Sequence, residues 1–117
     1  LRRAGLAPDE VLASPLCRCI DTSRLAFGTM RIEPDLRPLM GLGEEEVAAR
    51  VATMRGMVAR ASAAGRLVAA VGHSDLPEAL GLAKPAECEG YLLVEREGVL
   101  AAAAALRGEP WRIEAMG

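Results

Sequence analysis

Leu67-Val68-Ala69-Ala70-Val71-Gly72-His73-Ser74-Asp75 decides the fold: five apolar residues without a polar interruption, then a glycine and the only histidine of the chain. Strands buried on both faces of a parallel sheet read as unbroken apolar runs of this kind. A second such stretch, Asp9-Glu10-Val11-Leu12-Ala13, leads into Ser14-Pro15-Leu16-Cys17-Arg18. Open α/β sheets hold their ligands in the crevice outside the carboxyl ends of the strands. His73 and Arg18 are therefore expected in one crevice, where a guanidinium and an imidazole together suit a phosphate group.

The elements between these stretches alternate in type. Ser14 has the chemistry of an N-cap and Pro15 that of a first helical residue, so a helix is expected from about Leu16 to Phe27, stopped by Gly28. Arg18 falls in its first turn, where unpaired N–H groups and the helix dipole favour an anion. Thr29 to Leu42 carries Pro34, Pro38 and Gly41 and reads as a brief extended segment followed by a surface loop. From Glu44 to Ala64 the apolar residues Val47, Val51, Met54, Val58 and Ala61 recur at spacings of four and three, one buried helix face. Strand, helix and strand in this order imply parallel neighbours.

Glu89 to Arg96 and Val99 to Leu106 flank Glu97-Gly98 and read as an antiparallel hairpin at the sheet edge, although the alanines from 101 to 105 have high helix propensity. Trp111 is expected to close the end of the domain. Leu1 to Leu6 reads as the last turn of a helix with Gly5 at its C-cap, so the chain is expected to have lost its beginning. The fold class expected is a single α/β domain over residues 1–117, a three-layer α/β/α arrangement with a mostly parallel sheet.

A chain of 117 residues with 51% hydrophobic content and one each of Trp, Tyr and Phe builds its core from Val, Leu, Ala and Met. A net charge of -2 supplies no field for nucleic acid or an anionic membrane surface. Thirteen arginines stand against one lysine, a preference that suits bidentate anion recognition but that coding bias explains more simply. Three cysteines without metal-like spacing argue against a disulfide framework and for a reducing cytoplasm. Cys17 and Cys19, two apart on a helix, point in different directions. No run approaches the ~18 apolar residues of a membrane span.

Ser-Pro-Leu-Cys-Arg at Ser14 to Arg18 and Gly-His-Ser-Asp at Gly72 to Asp75 resemble two of the three blocks that mark the histidine phosphatase superfamily, the phosphoglycerate-mutase-like proteins. Asp21, Thr22 and Leu25 to Gly28 resemble that family's second helix, and the order of elements fits the family from its second strand onward. The resemblance implies that Arg18 and His73, with Ser14, hold a transferring phosphoryl group. It further implies a phosphohistidine intermediate formed on a histidine in an Arg-His-Gly block at the end of the first strand, with no metal or other cofactor. That block does not precede Ser14, and no second histidine is present among the 117 residues. The first strand and most of the first helix are thus expected to be missing, leaving a gap beside the strand that ends at Ala13.

A general acid must protonate the leaving oxygen. Asp75, two residues past His73, is the first candidate; the resemblance offers Glu33 and Asp35 as alternatives, and Asp75 could instead cap a short helix through Pro77 to Leu80. Gly72 to Leu76 lacks the second glycine of a nucleophile elbow and a histidine other than the one beside the serine, which argues against a serine hydrolase. Two functions remain: a phosphomonoesterase in the complete protein, or a descendant that binds phosphorylated ligands without turning them over. Small phosphorylated molecules and phosphoproteins are the expected partners, and the gap predicts self-association through unpaired sheet edges.

Overall fold

Val11, Leu12 and Ala13 are all buried although their side chains alternate between the two faces of one strand. That strand, β1 (Glu10–Ala13), is central in a parallel sheet. The computed structural model describes residues 8–85, 90–97, 99–107 and 112–115. β1 is followed by α1 (Cys17–Phe27), β2 (Arg31–Ile32), a 3₁₀ turn at Pro34–Leu36, α2 (Glu44–Ala64), β3 (Val68–Val71) and α3 (Asp75–Ala79). β2 and β3 flank β1, both parallel to it, as the strand and helix order requires.

The β1–β3 ladder is tied beyond both ends of the strands. Asp9 donates its N–H to the Leu67 carbonyl (2.7 Å) and accepts the Leu67 N–H on Oδ2 (2.8 Å). At the other end Ser14 N–H reaches the Val71 carbonyl at 2.9 Å. Ala13 therefore stands opposite Val71, and the two chains leave the sheet side by side. This corrects the expected gap beside Ala13: β3 itself fills one side of β1 and β2 the other.

α1 ends at Gly28, whose φ of 80° lets its N–H close on the Arg24 carbonyl at 2.9 Å. Its start differs from expectation. Leu16, not Ser14, is the N-cap, and Pro15 precedes the helix. Cys19 is buried and Cys17 exposed, as their spacing predicts. α2 has Glu44, Glu45 and Glu46 in its first turn, where the dipole favours them.

The segment read as a surface loop is half core. Leu36 and Leu39 are buried and form one cluster with Leu12 of β1, Met54 of α2 and Leu76 of α3. Val47, Val51 and Met57 pack against it, so the apolar face of α2 continues through Met57 rather than Val58. Arg50 lies on that same face, 8% exposed, and donates Nη1 to the carbonyls of Asp35 (2.7 Å) and Arg37 (2.6 Å). A buried guanidinium that satisfies two backbone acceptors holds the loop down onto the helix.

The hairpin is β4 (Gly90–Arg96) and β5 (Val99–Arg107), turned at Glu97 with φ 53°, and β6 (Arg112–Ala115) pairs with the far side of β5. The alanine run is a strand because ladder pairing on both sides overrides its helix propensity. The three strands form a sheet of their own, which corrects the expectation that the hairpin extends the parallel sheet. β4 lies against α2, where Glu95 N–H donates to Ser62 Oγ at 3.1 Å. Trp111 and the turn of helix expected at Leu1 to Leu6 lie outside the described residues.

Removing the Leu36 side chain, 3% exposed, is expected to cost about 2–5 kcal/mol. Met40→Ala, at a position 90% exposed, changes stability by no more than about 0.5 kcal/mol. Urea denaturation of the two variants checks the difference, and equal values would mean that the loop is not part of the core.

Candidate anion site at the strand mouth

The β1–β3 register dictates which residues meet where the strands end. Ser14 follows Ala13, and Gly72 and His73 follow Val71, so side chains 59 residues apart become neighbours: Ser14 Oγ lies 2.8 Å from His73 Nε2. α1 then begins within one turn and brings Arg18 over the imidazole, with Nη2 at 3.5 Å from Nδ1. An arginine has donors only, so Nδ1 is the acceptor. The ring is accordingly neutral with its proton on Nε2, which donates to Ser14 Oγ. Both ring nitrogens are engaged.

Ser14 is 0% exposed, and its hydroxyl also accepts the Leu16 N–H at 3.4 Å. This corrects its place in the expected phosphate-binding set. A ligand in the crevice cannot touch the hydroxyl; the hydroxyl fixes the ring that a ligand can touch. Cys19, which the sequence reading did not assign to the site, lies under the same ring. Its thiol donates to the Gly72 carbonyl at 3.5 Å and sits 3.8 Å from His73 Nε2. Burial pushes the Cys19 thiol above its ordinary pKa, against smaller opposite effects from the Ser14 hydrogen bond and the Arg18 charge. A thiol held protonated is a packing group, not a nucleophile.

Burial also lowers the pKa of His73, the charge of Arg18 lowers it further, and the Asp75 carboxylate partly opposes them. Asp75, the expected general acid, has one carboxylate oxygen committed to the loop. Its Oδ2 accepts the Leu39 N–H at 2.8 Å, and its Oδ1 is buried without a hydrogen-bond partner among the described residues. It is the second tie on the loop after Arg50. Asp75 is also the first residue of α3, with Ser74 as N-cap, and not the cap itself. Gly72 belongs to the same construction: a Cβ there would lie 2.7 Å from Leu76 Cδ1 and push on the end of that side chain, while the Leu36 carbonyl of the loop, at 3.4 Å, would be in ordinary contact.

Of the alternative carboxylates, Glu33 turns its Oε2 to the Asp35 N–H at 3.5 Å and caps the 3₁₀ turn. Asp35 contributes its carbonyl to Arg50. Among the described residues no three His, Cys, Asp or Glu side chains are grouped to hold a metal ion. No described helix is long and apolar enough to cross a membrane.

Elsewhere a shallow groove lies over β1, β2 and the second half of α2. Its floor is apolar (Leu12, Met57, Val68) and its rim carries Arg31, Arg60 and Arg66. Glu10 binds Arg31 at 2.8 Å and reaches Arg66 at 3.8 Å, which leaves little cationic field there for a ligand. Compared with protein-family models, curated proteins and solved structures, the chain matches none of them.

A histidine whose pKa is lower in the folded chain than in the unfolded one takes up its proton more readily on unfolding, so stability falls as pH drops below about 6.5, the unfolded value. His73→Gln is expected to lose less of its thermal midpoint than the wild type between neutral and mildly acidic pH. Parallel thermal melts check this, and an undiminished loss in the variant would show that the ring is not held neutral by its surroundings.

Proposed function

We propose that this chain binds the phosphoryl group of a phosphomonoester at the mouth of β1 and β3, as the anion-holding part of a histidine-phosphatase-type site. The observation that carries this reading is the meeting of Arg18 and His73, 55 residues apart, at 3.5 Å beside the start of α1. A phosphoryl group carries its charge on oxygens that need fixed donors, and holding them is most of the work in phosphoryl transfer. Arg18 offers a fork of donors, the first turn of α1 offers backbone N–H groups without helical partners, and His73 offers a ring of fixed orientation.

In the complete phosphomonoesterase an attacking imidazole would form the phosphohistidine that water then hydrolyses. His73 does not serve as that nucleophile, since Nε2 is turned to a buried serine and Nδ1 to an arginine. The 117 residues contain no other histidine. The chain by itself is therefore a binder of phosphorylated small molecules or phosphoproteins, which is also what the non-catalytic alternative requires. The three-layer, phosphoglycerate-mutase-like arrangement belongs to the same proposal. Its support is the parallel β2-β1-β3 order with both ligand-facing residues at carboxyl ends.

Two measurements on the purified chain test the reading. It is expected to show no turnover of p-nitrophenyl phosphate; turnover that disappears in His73→Ala would overturn the binder assignment. Inorganic phosphate binding, followed by NMR, is expected to weaken at least about tenfold in Arg18→Ala, and to change little in Arg24→Ala, which lies in the last turn of α1. Equal effects of the two substitutions would put the anion elsewhere.

A further inference from the structure

In the free chain the two residues assigned to the anion are bound to each other. Arg18 Nη2 donates to His73 Nδ1, and that contact exists only while Nδ1 carries no proton. Nε2 stays against Ser14, a side chain with no exposure, and the hydroxyl can accept from it or donate to it; a ring charged at both nitrogens is the form a dianion favours. An anion held between Arg18 and the ring takes the Nη2 donor from Nδ1. The lone pair left there then faces the negative oxygens of the ligand, which repel it.

We infer that the site takes a dianion together with one proton: on binding, the Arg18 to Nδ1 hydrogen bond breaks, Arg18 donates to the ligand instead, and Nδ1 takes a proton from solvent and donates it to a ligand oxygen. The inference rests on the phosphate-binding reading above and adds the protonation state of the ligand–site pair. The exchange is favourable on geometry. A 3.5 Å contact between neutral nitrogen and guanidinium is at the long limit of a hydrogen bond and is weak. Two charge-assisted bonds to an anion replace it.

The charged and titratable groups around the ring have a net effect in one direction. Arg18 and the Cys19 thiol face it from α1, Ser14 from the end of β1, and Asp75 from α3. Burial and Arg18 keep the empty site's imidazole below its ordinary pKa, with Asp75 in partial opposition. A bound dianion cancels the Arg18 charge at the ring and adds an attraction for the proton, so the bound-state pKa lies above the free one. Between those two values the anion affinity falls about tenfold for each unit that pH rises, and outside them it is flat.

The chain contains one histidine, so its ring C–H proton NMR signal reports the titration without assignment. The probe is sulfate, which stays a dianion over the whole range and so contributes no proton of its own, added at ionic strength matched with chloride. The expected result is a titration midpoint that moves up with sulfate. In Arg18→Ala the sulfate-free midpoint lies above that of the wild type, and sulfate moves it little. If sulfate shifts the backbone signals of the first turn of α1 while the ring midpoint stays, the anion site stands and the proton coupling is overturned. If sulfate shifts nothing, the anion site falls and the coupling falls with it.

Discussion

The parallel pairing of β1 with β3, with Ala13 opposite Val71, is the constraint on which the rest of this structure depends. With four residues on each strand, the pairing does not end at the ladder bonds. It is also pinned at both ends, by the Asp9 carboxylate on the Leu67 N–H and by the Ser14 N–H on the Val71 carbonyl. A slip of one residue would turn Leu12 out of its cluster with Leu36, Leu39, Met54 and Leu76, and would carry Ser14 away from His73. The core and the crevice are thus specified by the same few backbone bonds.

The crevice is built outward from buried polar groups. Ser14 and Cys19 lie beneath the imidazole, Arg18 lies over it, and the loop that follows β2 passes over Gly72. That loop is fastened at two places by charged side chains acting on backbone: Arg50 on the carbonyls of Asp35 and Arg37, and Asp75 on the Leu39 N–H. Among the described residues neither of these charges has an ionic partner within 4 Å. Each serves as a hydrogen-bonding group at the seam between loop and helix, so the loss of either leaves buried backbone groups unpaired.

The strands and the two long helices were legible in the sequence because each has a local signal: unbroken apolar runs for β1 and β3, a glycine at the end of α1, a three–four apolar rhythm in α2. The meeting of Arg18 and His73 was legible too, from their positions at strand ends. What was not legible depended on contacts without a local signature. Ser14 has the composition of an N-cap, but its hydroxyl is claimed by a histidine far along the chain. Asp75 has the position of an acid, and the tie of one of its oxygens to a loop that proline and glycine made look solvated had no local sign. Arg50 did leave a trace: it falls three residues after Val47 and four before Met54, on the apolar face itself, where a charge must find buried partners. The parallel pairing of β1 with β3 followed from the strand and helix order, whereas the missing strand that the family resemblance placed beside Ala13 did not, since β2 and β3 occupy both sides of β1.

A crystal structure of the chain grown with tungstate, located by its anomalous signal, tests the central claim most directly. The account predicts the anion at the start of α1, within hydrogen-bond distance of the Arg18 guanidinium and the His73 ring, with Ser14 still on Nε2 and the Arg18 to Nδ1 contact broken. Tungstate seated in the groove rimmed by Arg31, Arg60 and Arg66, with Arg18 still resting on His73, would contradict it.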